Sequence, residues 1–261
     1  GELLLLSMRT VWQTPDGKKQ KLTSPLSLVV SSFSPVRDVR KTVTPDLKPG
    51  KSSLLLVDLG AGRNRTGCSA LAQVYNRVGA DHPDVDDPAL LRKFFAAIQE
   101  LVAGGMLRAY HDRSDGGLFV TVAEMAFGGR RGVRLDVDGS HDEVLRALFA
   151  EELGAVLQVA ENRLADVKGV LERHGLASVT RAIGVPTDDG RLTIGRAYSE
   201  KVCALQRTWS ELTCHMQSLR DNPECAQQEL DNLLDEKDPG MSFKLTFDPD
   251  KAFNVPRSFS S

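Results

Sequence analysis

Tyr110-His111-Asp112-Arg113-Ser114-Asp115-Gly116-Gly117-Leu118 is the stretch whose reading decides the fold. A short apolar run, Met106 to Tyr110, leads into it, and a strongly apolar run, Leu118 to Phe127, leads out. The pattern predicts a strand, a tight polar turn and a buried helix. Two carboxylates, one hydroxyl and two glycines fall within positions 112–117, at the mouth of that helix. Asp112 and Asp115 carry hard oxygens of the kind that hold a divalent cation. Ser114, Gly116 and Gly117 offer donors to a phosphate at a helix N-terminus, where free N–H groups and the dipole favour anions. One reading is therefore a site for magnesium and a nucleotide polyphosphate. In the other, Ser114 or Asp115 caps the helix and the glycines make the turn.

Upstream, Asp86-Asp87-Pro88 opens a helix, with aspartate as the cap and Pro88 at the first helical position. Leu91, Phe94, Phe95, Ile98, Leu101 and Val102 recur at helical spacing and predict one buried face, closed by Gly104-Gly105. Earlier still, Ser53 to Leu59 is an apolar run of strand length that enters a glycine-rich loop, Gly60 to Gly67, and a helix from about Cys68 to Asn76. That order is a generic phosphate cradle, but neither a Walker lysine nor GxGxxG spacing is present. Glycines that permit a tight strand-to-helix turn are the better reading of this loop taken by itself. Asp58, at the strand's C-terminal end, is open between a ligand role and a turn role.

Downstream, Glu124 is the one charge in the Leu118–Phe127 helix, and either faces the site or reaches the surface. Strands are expected over Val133–Val137, Ala155–Val159, Val179–Val185 and Arg191–Ile194, and helices over Asp142–Glu151 and Glu161–His174. Strands and helices alternate to about residue 195, which predicts a layered α/β domain. From Glu200 to Arg220 a helix presents Leu205, Trp209, Leu212 and Met216 on one face, and Asp221-Asn222-Pro223 interrupts it. The charged segment Gln227–Asp238 and a short strand, Phe243–Phe247, complete what reads as a connector lying on another domain. At the other end, Leu3 to Trp12 and Leu26 to Phe33 read as extended segments around the turn signal Thr14-Pro15-Asp16-Gly17. They are too short for a core of their own. Thr44 to Gly50 is the expected domain boundary.

The 261 residues carry a net charge of −2 and no long basic run, which argues against general nucleic-acid binding. No apolar run approaches the ~18 residues of a membrane span. Cys68, Cys203, Cys214 and Cys225 lack metal-site spacing and read as reduced thiols of a cytoplasmic protein. A chain opening on Gly1 is expected to be part of something longer.

On these residues the chain resembles formylglycinamidine ribonucleotide synthase (phosphoribosylformylglycinamidine synthase), the large single-chain family of glutamine-dependent ligases in purine biosynthesis. The stretches that carry the resemblance are Leu54 to Gly60, Ala70 to Tyr75, His111 to Leu118, Ala123 to Phe127, Phe149 to Gly154 and Leu219 to Pro223, in one order between Ser7 and Asp248. It implies three parts: residues 1–45 as the end of an N-terminal synthetase-like subdomain, 46–204 as a domain like the C-terminal domain of aminoimidazole ribonucleotide synthetase, and 205–261 as a helical linker toward a glutaminase domain. It implies ATP or ADP and magnesium (Mg2+) as cofactors, with Asp112 as a metal ligand and Ser114, Asp115, Gly116 and Gly117 as nucleotide contacts. The implied partners are the remaining synthetase half and the glutaminase domain, with formylglycinamide ribonucleotide and glutamine as substrates. In the implied reaction ATP activates the amide oxygen and ammonia displaces the phosphate. The resemblance assigns no catalytic residue to this chain, which is expected to be inactive alone. The chain departs from the family at Gly1 to Leu6, where leucines replace a polar, lysine-bearing segment, and after Asp250. A structural or interaction fragment of the same fold, without nucleotide binding, is the competing expectation.

Overall fold

A computed structural model of the chain describes residues 2–6, 9–23, 27–31, 33–36, 38–235, 237, 238, 242, 244–248 and 251. They divide into two compact units, Gly1–Thr42 and Val43–Ser261. Among its described residues the first unit holds four strands in two antiparallel pairs and a short 3-10 helix, Val39–Lys41. β1 (Glu2–Leu6) pairs with β4 (Ser27–Ser31), and β2 (Arg9–Gln13) with β3 (Lys19–Thr23). The expected turn closes the second pair: Gly17 N–H donates to the Thr14 carbonyl at 2.8 Å, with Gly17 at φ +80°. Val11, Trp12 and Leu22 are exposed, so this two-stranded ribbon buries no core of its own.

The second unit is built on β5 (Ser52–Asp58), whose side chains alternate between two cores. Leu54 and Leu56 face one cluster; Leu55 and Val57 face the other. Burial on both faces explains why the segment reads as an unbroken apolar run instead of an alternating one. β5 pairs antiparallel with β8 (Gly154–Ala160) on one side and β9 (Thr180–Thr187) on the other. β6 (Ala109–Asp112), β7 (Gly132–Leu135), β10 (Arg191–Ile194) and β11 (Tyr198–Lys201) complete a seven-stranded sheet in the order β11-β10-β7-β9-β5-β8-β6. Only β10 and β7 run parallel.

Helices cover both faces. α2 (Pro88–Ala103) and α5 (Leu164–Arg173) supply Ala97, Ile98, Leu101, Val167, Val170 and Leu171 to the core around Leu55. α3 (Gly117–Gly129) and α4 (His141–Phe149) supply Leu118, Val122, Met125, Ala147 and Leu148 to the core around Leu54. The expected layered α/β architecture is what the chain adopts. α2 begins as its sequence predicts, with the Asp87 carboxylate accepting from Ala89 and Leu90 N–H and Pro88 in the first turn. Its predicted face holds except at Phe95, which is exposed.

Several elements depart from expectation. β6 starts three residues late and runs on to Asp112, because Arg108 N–H already bonds the Gln158 carbonyl and the pairing with β8 continues from there. The helix expected over 68–76 shrinks to α1 (Ala70–Val74). Cys68 and Asn76 sit at φ +59° and +52°, and Gly67 and Cys68 N–H groups bond the carbonyls of Asp81 and Val78 instead of a helix. α4 ends at Phe149, not at Glu151. β11 was not expected, and it displaces the start of α6 (Val202–Arg220) to Val202.

The apolar face predicted for α6 is largely uncovered. Trp209, Leu212 and Met216 are exposed, while Cys214 is buried against Ala226 and Leu230 of α7 (Pro223–Asn232). The break between the helices is as read, with the Asn222 side chain accepting from Glu224 and Cys225 N–H before Pro223. Of the strand expected over Phe243–Phe247, residues 244–247 are described and form no strand; Phe243 and the tail 252–261 lie outside the described residues. All four cysteines are unpaired thiols. Among the described residues no helix is long and apolar enough to cross a membrane.

Candidate functional site

The polar turn lies where β6, the last strand of the sheet, gives way to α3. Asp112 ends the strand opposite Ala155 and is exposed. Arg113 N–H still donates to the Gly154 carbonyl at 2.8 Å, and its side chain turns inward to near-complete burial. Ser114 and Asp115 are exposed; Gly116 and Gly117 are buried. Neither Ser114 nor Asp115 caps α3. The cap position is Gly116, at φ +81°, which has no side chain to accept from the first turn; its own N–H donates to Glu151 Oε1 at 2.8 Å. Capping by Ser114 or Asp115 is thus corrected, whereas the glycine half of that reading holds.

Both glycines are required on two grounds. Gly117 sits at φ +67°, and a Cβ there would stand 2.8 Å from the carbonyl oxygens of Leu148 and Ala150. A Cβ on Gly116 would collide with the Val120 side chain at 2.3 Å. The left-handed conformations give L side chains a penalty of their own.

Beneath the turn is a network of buried charge that the sequence did not announce. Arg113 Nη2 donates to Asp58 Oδ1 at 2.5 Å and to the Leu153 carbonyl at 3.1 Å, and its Nε donates to the Glu152 carbonyl at 2.6 Å. Asp58 also accepts from Gly60 N–H at 3.2 Å and Gly62 N–H at 2.8 Å. Asp58 therefore shapes the glycine-rich loop and holds Arg113, a turn role with a buried partner. Glu152, fully buried, accepts from Arg65 through Nε at 2.8 Å, Nη2 at 2.7 Å and the backbone N–H at 2.9 Å. Arg65 reaches Asp86 as well, at 2.7 Å, and Asp86 also pairs with Arg63. Hydrogen bonds to Glu152 first, then Asp86, raise Arg65 further above the ordinary guanidinium range, and the bond from Arg65 holds the Asp86 carboxyl below its ordinary range. Gly60 is small for the same reason: a Cβ there would lie 2.6 Å from the Glu152 carboxylate. Each charge has a partner and further hydrogen bonds, the condition under which buried ions persist.

Glu124 faces β6, with Oε2 3.1 Å from Nε2 of His111, whose Nδ1 lies 2.7 Å from the Asp112 carbonyl. Tyr110, on the same strand, has its phenol pushed up to about 12, first by burial and then by the Asp112 charge. Among the described residues no three carboxylate, imidazole or thiol groups converge on a common point. Asp112 and Asp115 present two exposed carboxylates beside the turn. A cavity of about 340 Å³ lies by Arg130, past the far end of α3. Thirteen residues of helix place it roughly 20 Å from the turn. Its lining sets Arg130, Arg191 and Lys201 against Asp188 and Asp189, so it offers no single sign of charge to a polyphosphate.

Residues 52–196, more than half of the chain, match the family model described as AIR synthase related protein, C-terminal domain. The chain belongs to this family. The matched span runs from the start of β5 to just past β10 and contains the turn, the glycine-rich loop and the buried network. Among solved structures, the AIR synthase-related chain is similar to Thermotoga maritima PurL complexed with FGAR, at 14% identity and a TM-score of 0.51, over 64% of this chain and 30% of that one. The same protein complexed with ATP gives 13% and 0.48, over 63% and 27%. The hydrogenase maturation protein HypE in complex with ATP gives 15% and 0.43, over 62% and 53%. At these identities the likeness is one of fold. The chain spans less than a third of the length of the PurL chains it matches.

Arg113, Glu152 and Arg65 are residues that sequence reasoning left without a role, and Asp86 and Glu151 were read only as parts of helix ends. The two consecutive glutamates just before an apolar strand, Glu151-Glu152-Leu153-Gly154, were the available signal.

Proposed function

We propose that this AIR synthase-related chain is the C-terminal part of a synthetase region of the phosphoribosylformylglycinamidine synthase type, contributing a nucleotide half-site at the turn between β6 and α3. The division into residues 1–45, 46–204 and 205–261 belongs to this reading. The observation that carries it is the entry to α3. A helix that begins on two left-handed glycines, with no cap side chain at Gly116 and with the Gly116 and Gly117 N–H groups already donated to Glu151 and Ser114, leaves the following first-turn N–H groups for an outside acceptor. Ser114 and Asp115 stand exposed beside that entry, and Asp112, also exposed, is the last residue of β6. Gly116 and Gly117 bring the backbone close to a bound phosphate, Ser114 adds a hydroxyl, and Asp112 supplies one oxygen to a magnesium whose other ligands come from the remaining synthetase half. Magnesium, when bound, neutralises polyphosphate charge. This chain's own residues orient the nucleotide, and the chain alone turns nothing over.

The substrates of the whole enzyme, formylglycinamide ribonucleotide, glutamine and ATP, and its cytoplasmic setting belong to the same proposal. The PurL structure solved with FGAR shares this fold and supports the choice of substrate. Calorimetric titration of the chain with ADP and ATP, with and without magnesium, tests the half-site. Magnesium-dependent binding that is lost in Asp112→Ala is the expected result. No binding to the folded wild-type chain would leave the competing reading, a fragment that folds and docks without nucleotide.

A further inference from the structure

Glu151 lies just beyond the end of α4, where the early termination of that helix frees its side chain. One carboxylate oxygen, Oε1, accepts from two backbone N–H groups that are distant in sequence. Gly116, at the entry to α3, and Ala70, at the entry to α1, each donate to it at 2.8 Å. Sharing one acceptor holds these two amides within roughly 6 Å of each other. Neighbouring residues reinforce the arrangement. Glu152 grips Arg65 in the glycine-rich loop, its carbonyl and that of Leu153 hold Arg113, and Leu59 N–H donates to the Leu153 carbonyl at 2.9 Å. Segment 151–154 thus suspends both glycine-bearing loops from the start of β8.

We propose that Glu151 is a positioning residue that locks the Gly60–Ser69 segment to the Gly116 turn, making the two loops opposite walls of one nucleotide half-site. The inference rests on the nucleotide reading above and extends it: the loop that carries no phosphate-binding fingerprint of its own becomes part of the site through a carboxylate. Glu151 touches no ligand in this scheme. It occupies the Gly116 and Ala70 N–H groups and so fixes the two loops whose other groups face the ligand.

The test compares the wild-type chain with Glu151→Ala and Glu151→Gln by amide hydrogen exchange and by titration with ADP and magnesium. In Glu151→Ala, exchange at Gly116 and Ala70 should quicken together by about tenfold or more, while β5 and β8 keep their protection. ADP affinity should fall by about tenfold. Glu151→Gln, which retains an acceptor oxygen, should restore both quantities to within about threefold. If Glu151→Ala does not fold, Glu151→Asp takes its place: one methylene shorter, it cannot reach both amides, and one of the two should lose protection with the affinity. Unchanged exchange at either amide in the folded Ala variant would overturn the lock. So would release of both amides with ADP affinity unaltered, since Glu151 would then be structural only. Failure of the wild-type chain to take up ADP overturns the nucleotide reading, and the exchange measurement still decides the lock.

Discussion

Replacing Arg113 with methionine removes the hub of the buried network while leaving a side chain of similar length and apolar character. Three interactions go at once: the ion pair with Asp58 and the bonds to the Glu152 and Leu153 carbonyls. Stranding one member of a buried pair costs about 3–5 kcal/mol. Asp58 keeps its bonds from Gly60 and Gly62, and the Leu153 carbonyl keeps Leu59, so the low end of that range applies. For a unit of this size, a loss of about 3 kcal/mol corresponds to a fall in Tm of roughly 6–12 °C. Urea denaturation followed by circular dichroism gives the free energy directly. Asp58→Asn should cost a similar amount, because it leaves the guanidinium buried without its counter-charge. The double variant should cost clearly less than the sum, with a coupling of about 1–3 kcal/mol. Additive losses, or an Arg113→Met variant within about 0.5 kcal/mol of wild type, would refute the claim that this pair supports the turn.

Gly117→Ala should destabilise by about 2–4 kcal/mol, since the left-handed φ and the carbonyls of Leu148 and Ala150 both oppose a Cβ; denaturant midpoints read this out. The Tyr110 phenol, pushed up to about 12, should be the late step in an absorbance titration at alkaline pH, and Tyr110→Phe should remove it. Because the unfolded chain gives up that proton near 10, the stability it supports is intact below about pH 10 and lost between about 10 and 12. Asp86 behaves in the opposite sense. Its carboxyl is depressed by Arg65, so its contribution is present above the unfolded value near 4 and disappears as the pH falls below that. Asp86→Asn should flatten the acid limb of the stability curve.

How far the sequence could be read depended on how far apart the interacting residues lie. Asp87-Pro88 announced α2 because a cap and a first-turn proline act within three positions. Ser53–Leu59 was legible as a strand, and the alternation of helices and strands gave the layered fold, because each element's apolar pattern is local. The reach of β6 to Asp112 was not legible, since its ladder bonds come from β8, more than forty residues on. Glu151 looked like the last residue of a helix and Glu152 like the start of the turn after it; their roles arise only when β5, β6 and β8 are side by side. In α6, periodicity located the apolar face but not whether anything covers it, and Leu212 and Met216 remain exposed. At the turn, residue types were readable and the missing cap was not: serine and aspartate before a helix look like caps until Gly116 occupies that position.

The most direct test of the central claim is mapping of backbone amide shifts by NMR while ADP and magnesium are added to the chain, a measurement sensitive even to weak half-site binding. The account predicts saturable changes concentrated at residues 112–119, with a second set at 60–70 carried by Glu151. Shifts confined to another part of the unit, such as the cavity beside Arg130, or none at millimolar ADP, would contradict it.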